Sequence, residues 1–134
     1  MLGRRWLSEH SSLPQFADES VTTPAEVTRE LLSGAAHGIS IKTARSGFTT
    51  GQRVVGLCEG LGVEVVMGNQ IDGQLGTVCT AAFGAAHELT SRRPAEASNF
   101  LAMSGDLLAE SLTIEDGELR VGGSGRLTDL KYQE

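Results

Sequence analysis

The chain has 134 residues, 40% of them apolar, and a formal charge of −6 with an isoelectric point near 5.0. That supports one domain with a real core, or a piece of one. The acidic balance argues against a nucleic-acid partner, since the basic residues are scattered except at Arg4-Arg5 and Arg92-Arg93. No apolar run approaches the roughly 18 residues of a membrane span, and the N-terminus lacks the apolar core of a signal peptide. Cys58 and Cys79 sit inside helical patterns without CxxC spacing, which reads as two reduced thiols and a cytoplasmic location.

In chain order, residues 1–9 look like the end of a helix and 15–18 like a strand. Thr23-Pro24-Ala25-Glu26 is a capping box with proline at the first helical position. Val27, Leu31 and Ala35 form the stripe of the helix it starts. A strand at 39–43 follows. Thr49-Thr50-Gly51-Gln52 repeats the capping pattern, and Gly60 and Gly62 end the helix it opens. A strand at 63–67 leads to a long helix over about 74–90, and a fourth strand is expected near 98–101. Leu112, Ile114, Leu119 and Val121 alternate around Asp116-Gly117, the pattern of a β-hairpin. The glycine-rich stretch from Gly122 onward reads as a loose tail.

Strands ending near 18, 42 and 67 repeat a βα unit of about 25 residues, which means α/β with a parallel sheet. Neither GxGxxG after a strand nor GxxxxGK[ST] occurs, so a nucleotide fold has no support. Ionisable or polar residues close each strand instead: Asp18-Glu19, Lys42, Asn69 with Asp72, and Asn99. In a barrel of parallel strands such ends face one shared cavity, so an acid and a lysine placed this way can share a site. The fold class is therefore α/β, about four parallel βα units of a (β/α)8-type barrel, with a hairpin and tail. Residues 1–103 form the partial barrel and 104–134 the C-terminal hairpin and tail.

Three segments, Ala17-Asp18-Glu19-Ser20, Ile41-Lys42-Thr43-Ala44-Arg45-Ser46-Gly47 and Gly68-Asn69-Gln70-Ile71-Asp72-Gly73-Gln74-Leu75-Gly76-Thr77, carry a family resemblance. In this order and at βα spacing they resemble the muconate cycloisomerase and mandelate racemase branch of the enolase superfamily. The resemblance covers roughly residues 13–121 and implies the C-terminal half of the barrel, strands five to eight. It makes Asp18 a carboxylate ligand of a catalytic Mg²⁺, with Mn²⁺ as the alternative ion, and Glu19 a supporting acid. It makes Lys42 an acid/base residue or an electrostatic partner of an enolate. Asp72 and Asn69 fall near the substrate, and Asn99 lies where the cycloisomerases carry an eighth-strand glutamate. A Lys or His base paired with Mg²⁺ is already the known pattern of this superfamily.

The chemistry of the residue types agrees. Removing a proton beside a carboxylate creates a dianionic enolate that is inaccessible unless a divalent cation stabilises it. Mg²⁺ takes hard oxygen ligands, hence acids at strand ends. Taken singly, Asp18-Glu19-Ser20 would read as a turn cluster and Lys42 as a solvated lysine. Asp72 fits a helix cap as well as a substrate contact. His10, His37 and His87 read as structural or surface groups, and Met67 and Met103 as core fillers. Three functions follow. The first is an isomerase or lyase resembling muconate cycloisomerase, acting on a small carboxylate. The second is a racemase, epimerase or sugar-acid dehydratase of the same superfamily. The third is a non-catalytic half-barrel serving as an interaction module. In each, the chain is expected to form a homo-oligomer or to associate with the missing N-terminal half.

Overall fold

Three short apolar segments become parallel strands because a helix lies between each pair. The computed structural model describes residues 2–120 and 131. Helix α1 (Leu2–His10) leads into β1 (Phe16–Ala17). The capping box forms: Thr23 accepts from the Glu26 amide, and the Glu26 carboxylate takes the Thr23 amide in return, starting α2 (Pro24–Leu32). Strand β2 (Gly38–Ile41), helix α3 (Thr43–Leu61) and strand β3 (Glu64–Met67) follow. Gly62 ends α3 in the left-handed conformation (φ 67°), where a side chain would be strained.

The sheet order is β1-β2-β3, all parallel, with Phe16 beside Gly38 and Gly38 beside Glu64. Alternation gives the sheet two different faces. Ala17, Ile39, Ile41, Val65 and Met67 point into a core completed by Val27, Val54, Val55, Cys58 and Phe83 from the helices. Phe16, Ser40 and Val66 belong to the opposite face, whose strand ends continue into Asp18, Lys42 and Gly68. Position 38 needs glycine because the Phe16 ring occupies the space of any side chain there. At the same end of the sheet Arg93 lies over the Phe16 ring, 5.9 Å from its centroid, and pairs with Glu64.

Four expectations need correction. Helix α3 starts at Thr43, not Thr49, with a break at Gly47 (φ 67°, ψ 172°) where only glycine is relaxed. The helix expected over 74–90 is two, α4 (Gln74–Ala85) and α5 (Glu88–Ser91). The break falls at His87, whose backbone is extended, while Thr90 donates its hydroxyl back to the Gly84 carbonyl at 2.7 Å. The fourth strand at 98–101 does not form; residues Asn99–Ala102 are a 3-10 turn. Phe100 causes this, because it anchors with Val78 and Leu112 in a second small core. The chain passes beside β3 slightly earlier, where the Glu96 amide donates to the Met67 carbonyl at 2.9 Å. The described parallel sheet thus has three strands. Finally, Met67 is core but Met103 is 45% exposed.

The hairpin is β4 (Thr113–Glu115) and β5 (Glu118–Arg120), turned by Asp116 and Gly117 with φ of 51° and 80°. Its Ile114 and Leu119 pack on the second core. The loose tail expected from Gly122 lies outside the described residues. Among the described residues no helix is long and apolar enough to cross a membrane.

Candidate active site

The topology sets the first two groups of the site. Asp18 and Glu19 directly follow β1, and Lys42 directly follows β2 as the residue preceding α3. Adjacent parallel strands bring them together: the Lys42 ammonium lies 2.8 Å from Asp18 Oδ2 and 2.6 Å from Glu19 Oε1. The lysine side chain is 9% exposed, lying along Gly68 at the end of β3, where a Cβ would sit 3.1 Å from two of its carbons. A glycine at this point is what lets the aliphatic stem pass.

Burial alone would lower the Lys42 ammonium, but the bonds and charge of Asp18 and Glu19 outweigh it and hold the group above its ordinary value. The Lys42 bond, with help from its own backbone, holds Glu19 below the usual carboxylate range. In this arrangement the lysine is charged, suited to donating a proton or stabilising negative charge. Asp18 Oδ1 and Asn69 Nδ2 are both buried without a hydrogen-bond partner. Both atoms are closed in by neighbouring protein atoms and carry an unmet hydrogen-bonding capacity.

Asn69 follows β3 closely, and its side-chain Oδ1 accepts from the Asp72 backbone amide at 3.3 Å. Asp72 does not cap α4. Its carboxylate closes its own turn on the Gln70 amide, and the Gln74 amide is bound instead by Asp106 at 2.6 Å. Asn99 is exposed in the 3-10 turn and bonds none of these residues among the described contacts. The acid that reaches the end of β3 is Glu96, whose Oε2 accepts from the Asn69 backbone N–H at 3.4 Å. Sequence reasoning missed it, although one 25-residue repeat beyond Met67 falls near 92, closer to Glu96 than to Asn99. A cavity of about 880 Å³ lies to one side, between the first turns of α3 and α4 and the 103–107 segment. Asp72 lines it; Lys42 does not.

The donor set fits a divalent ion only in part. Asp18 Oδ1 is a free hard oxygen, but among the described residues no three His, Cys, Asp or Glu side chains gather to hold a metal. Cys58 is buried, its thiol pushed up to about 11 by burial, and Cys79 is half-buried; both are free.

Residues 1–125 match the family model described as enolase C-terminal domain-like. The chain is 31% identical over 108 residues to muconate cycloisomerase 1 of Rhodococcus opacus, covering 80% of this chain and 29% of that protein. It is 30% identical over 93 residues to the L-Ala-D/L-Glu epimerase of Bacillus subtilis, covering 69% of this chain and 25% of the other. Among solved structures, the muconate lactonizing enzyme from Mycobacterium smegmatis superposes with a TM-score of 0.84 and 61% identity, over 87% of this chain and 33% of that one. The chain therefore spans about a quarter to a third of the length of these relatives. Three parallel βα units, the shared acid–lysine end and these matches give one assignment: the chain belongs to the enolase superfamily, in its mandelate racemase and muconate lactonizing branch.

Proposed function

We propose that this chain supplies the C-terminal part of the catalytic barrel of an isomerase acting on a small carboxylate in the manner of muconate cycloisomerase. The observation that carries the proposal is the Lys42 ammonium held between Asp18 and Glu19 at the ends of two parallel strands. In this reading Lys42 Nζ moves the proton at the carbon beside the substrate carboxylate, or stabilises the charge left when it goes. Asp18 and Glu19 fix the amine in place. Asn69 directs its free amide N–H at the substrate, with Glu96 beside it in the place first expected for Asn99.

Mg²⁺ is part of the proposal, with Asp18 Oδ1 as one ligand and the others on barrel strands beyond these 134 residues. Bound there, the ion supplies stabilisation of negative charge on a carboxylate substrate. Epimerisation of a dipeptide is the second reading, favoured by the match to the Bacillus subtilis epimerase. Association with the remaining barrel strands, in cis or from a partner chain, and a cytoplasmic setting complete the proposal.

The test supplies the missing strands by fusion or co-expression. Lys42→Ala should lower turnover by about 10²–10⁴-fold with Mg²⁺ affinity largely kept. Asp18→Asn should weaken Mg²⁺ binding. Equal turnover of wild type and Lys42→Ala would refute the role of the lysine.

A further inference from the structure

We infer that Glu30 is a positioning residue for the Asp18–Lys42 pair, acting through two arginines and Ser20. The inference rests on the site reading above and stands on contacts other than those of Lys42.

Three guanidinium groups converge on the turn that carries Asp18 and Glu19, one from each of the first three helices. Arg45 of α3 donates to the Glu19 carbonyl at 3.2 Å. Arg29 of α2 donates to the Ser20 carbonyl at 3.3 Å, and Arg4 of α1 donates to the Ser20 hydroxyl at 2.9 Å. An arginine lying half in solvent gains little from such a bond, because holding a long side chain in one rotamer offsets it. Arg4 and Arg29 are 45% and 51% exposed, yet both are held.

What holds them is Glu30. Its side chain is fully buried, and Oε1 meets Arg4 Nη2 at 2.9 Å and Arg29 Nη2 at 3.5 Å. Its Oε2 has no partner. Burying a half-satisfied carboxylate makes poor sense as packing, since an apolar side chain of this size would serve α2 better. The cost is explained by what the charge does. It freezes two guanidiniums at once, and each donates another hydrogen bond to Ser20, two residues after Asp18. Glu30 thereby stiffens the turn from behind, its described ion pairs going to Arg4 and Arg29 and not to Asp18 or Lys42.

The chain contains only two lysines, which makes the experiment simple. Lys42 is almost enclosed, whereas Lys131 is 72% exposed and serves as an internal reference. The 134-residue chain is treated with acetic anhydride, and the Lys42-to-Lys131 acetylation ratio is read by mass spectrometry. Glu30→Met should raise that ratio about fivefold, equivalent to ~1 kcal/mol of lost constraint, without lowering Tm. Glu30→Gln, which keeps an acceptor for Arg4, should fall between. Ser20→Ala should raise the ratio as well, and the double variant no further, because both act through one relay. Val27→Ala, a fully buried neighbour on α2, should lower Tm and leave the ratio alone. If Glu30→Met fails to fold, Ser20→Ala decides. A wild-type ratio in Glu30→Met and Ser20→Ala, an additive double variant, or an equal rise in Val27→Ala overturns the inference. A completed barrel without turnover would sink the function proposed above and leave this ratio untouched.

Discussion

Replacing Lys42 with methionine keeps the length and apolar stem of the side chain and removes only the ammonium. The carboxylates of Asp18 and Glu19 then face each other with nothing between them, and Asp18 Oδ1 already lacks a partner. Removing one member of a fully buried pair costs about 3–5 kcal/mol. Here the carboxylate of Asp18 is 35% exposed and that of Glu19 67%, so water recovers much of the loss. A net destabilisation of about 1–2 kcal/mol follows. For a chain of this size that is roughly 4–8 °C in Tm. Thermal unfolding at pH 7 by circular dichroism reads it directly. Adding Asp18→Asn should restore most of the loss, since the repulsion then has one charge fewer. A Lys42→Met chain as stable as wild type, or a double variant with purely additive effects, would refute the view that these groups form one electrostatic unit.

The same unit sets a pH dependence. Glu19 is held below its ordinary value, so its contribution is complete above the usual carboxylate pKa and is lost as pH falls through the lowered one. Lys42 is held above its ordinary value, so its contribution is complete below the usual lysine pKa and is lost as pH rises through the raised one. Stability should therefore show a plateau from about pH 5 to 10, and denaturant melts across pH should lose both flanks in Lys42→Met. Gly68→Ala drives a methyl group against the Ser40 hydroxyl and the Lys42 stem, at a cost of about 1–3 kcal/mol; an unchanged urea midpoint would contradict that close approach. Asp106→Ala removes the acceptor at the start of α4, costing about 1 kcal/mol and speeding exchange of the Gln74 amide, read by hydrogen exchange.

How much of this was legible in the sequence depended on whether the determinant was local. The capping box at Thr23 and the glycine after α3 act within a few residues, and both formed as read. The acid–lysine end needed only the 25-residue period, because parallel strands in register carry Asp18 and Lys42 to the same side. The misplaced features were decided from far away. Phe100 looks like a strand residue by propensity, and it is contact with Val78 and Leu112 that winds its segment into a turn. Asp72 is well placed for a cap by spacing, but Asp106, 34 positions later, reaches the Gln74 amide first. Glu96 was invisible for the same reason: one backbone bond to Met67, not a strand pattern, puts it at the site.

In the proposed reaction Lys42 moves a proton beside a substrate carboxylate. Deuterium uptake from D₂O into muconolactone, followed by NMR in a barrel completed by supplied N-terminal strands, tests that proposed role. Muconolactone is the ligand in the complex of the Mycobacterium smegmatis enzyme, which is 61% identical over the shared region. Wild type should take up deuterium at the carbon beside the carboxylate, and Lys42→Ala none above background. Uptake at the same rate in both would contradict it.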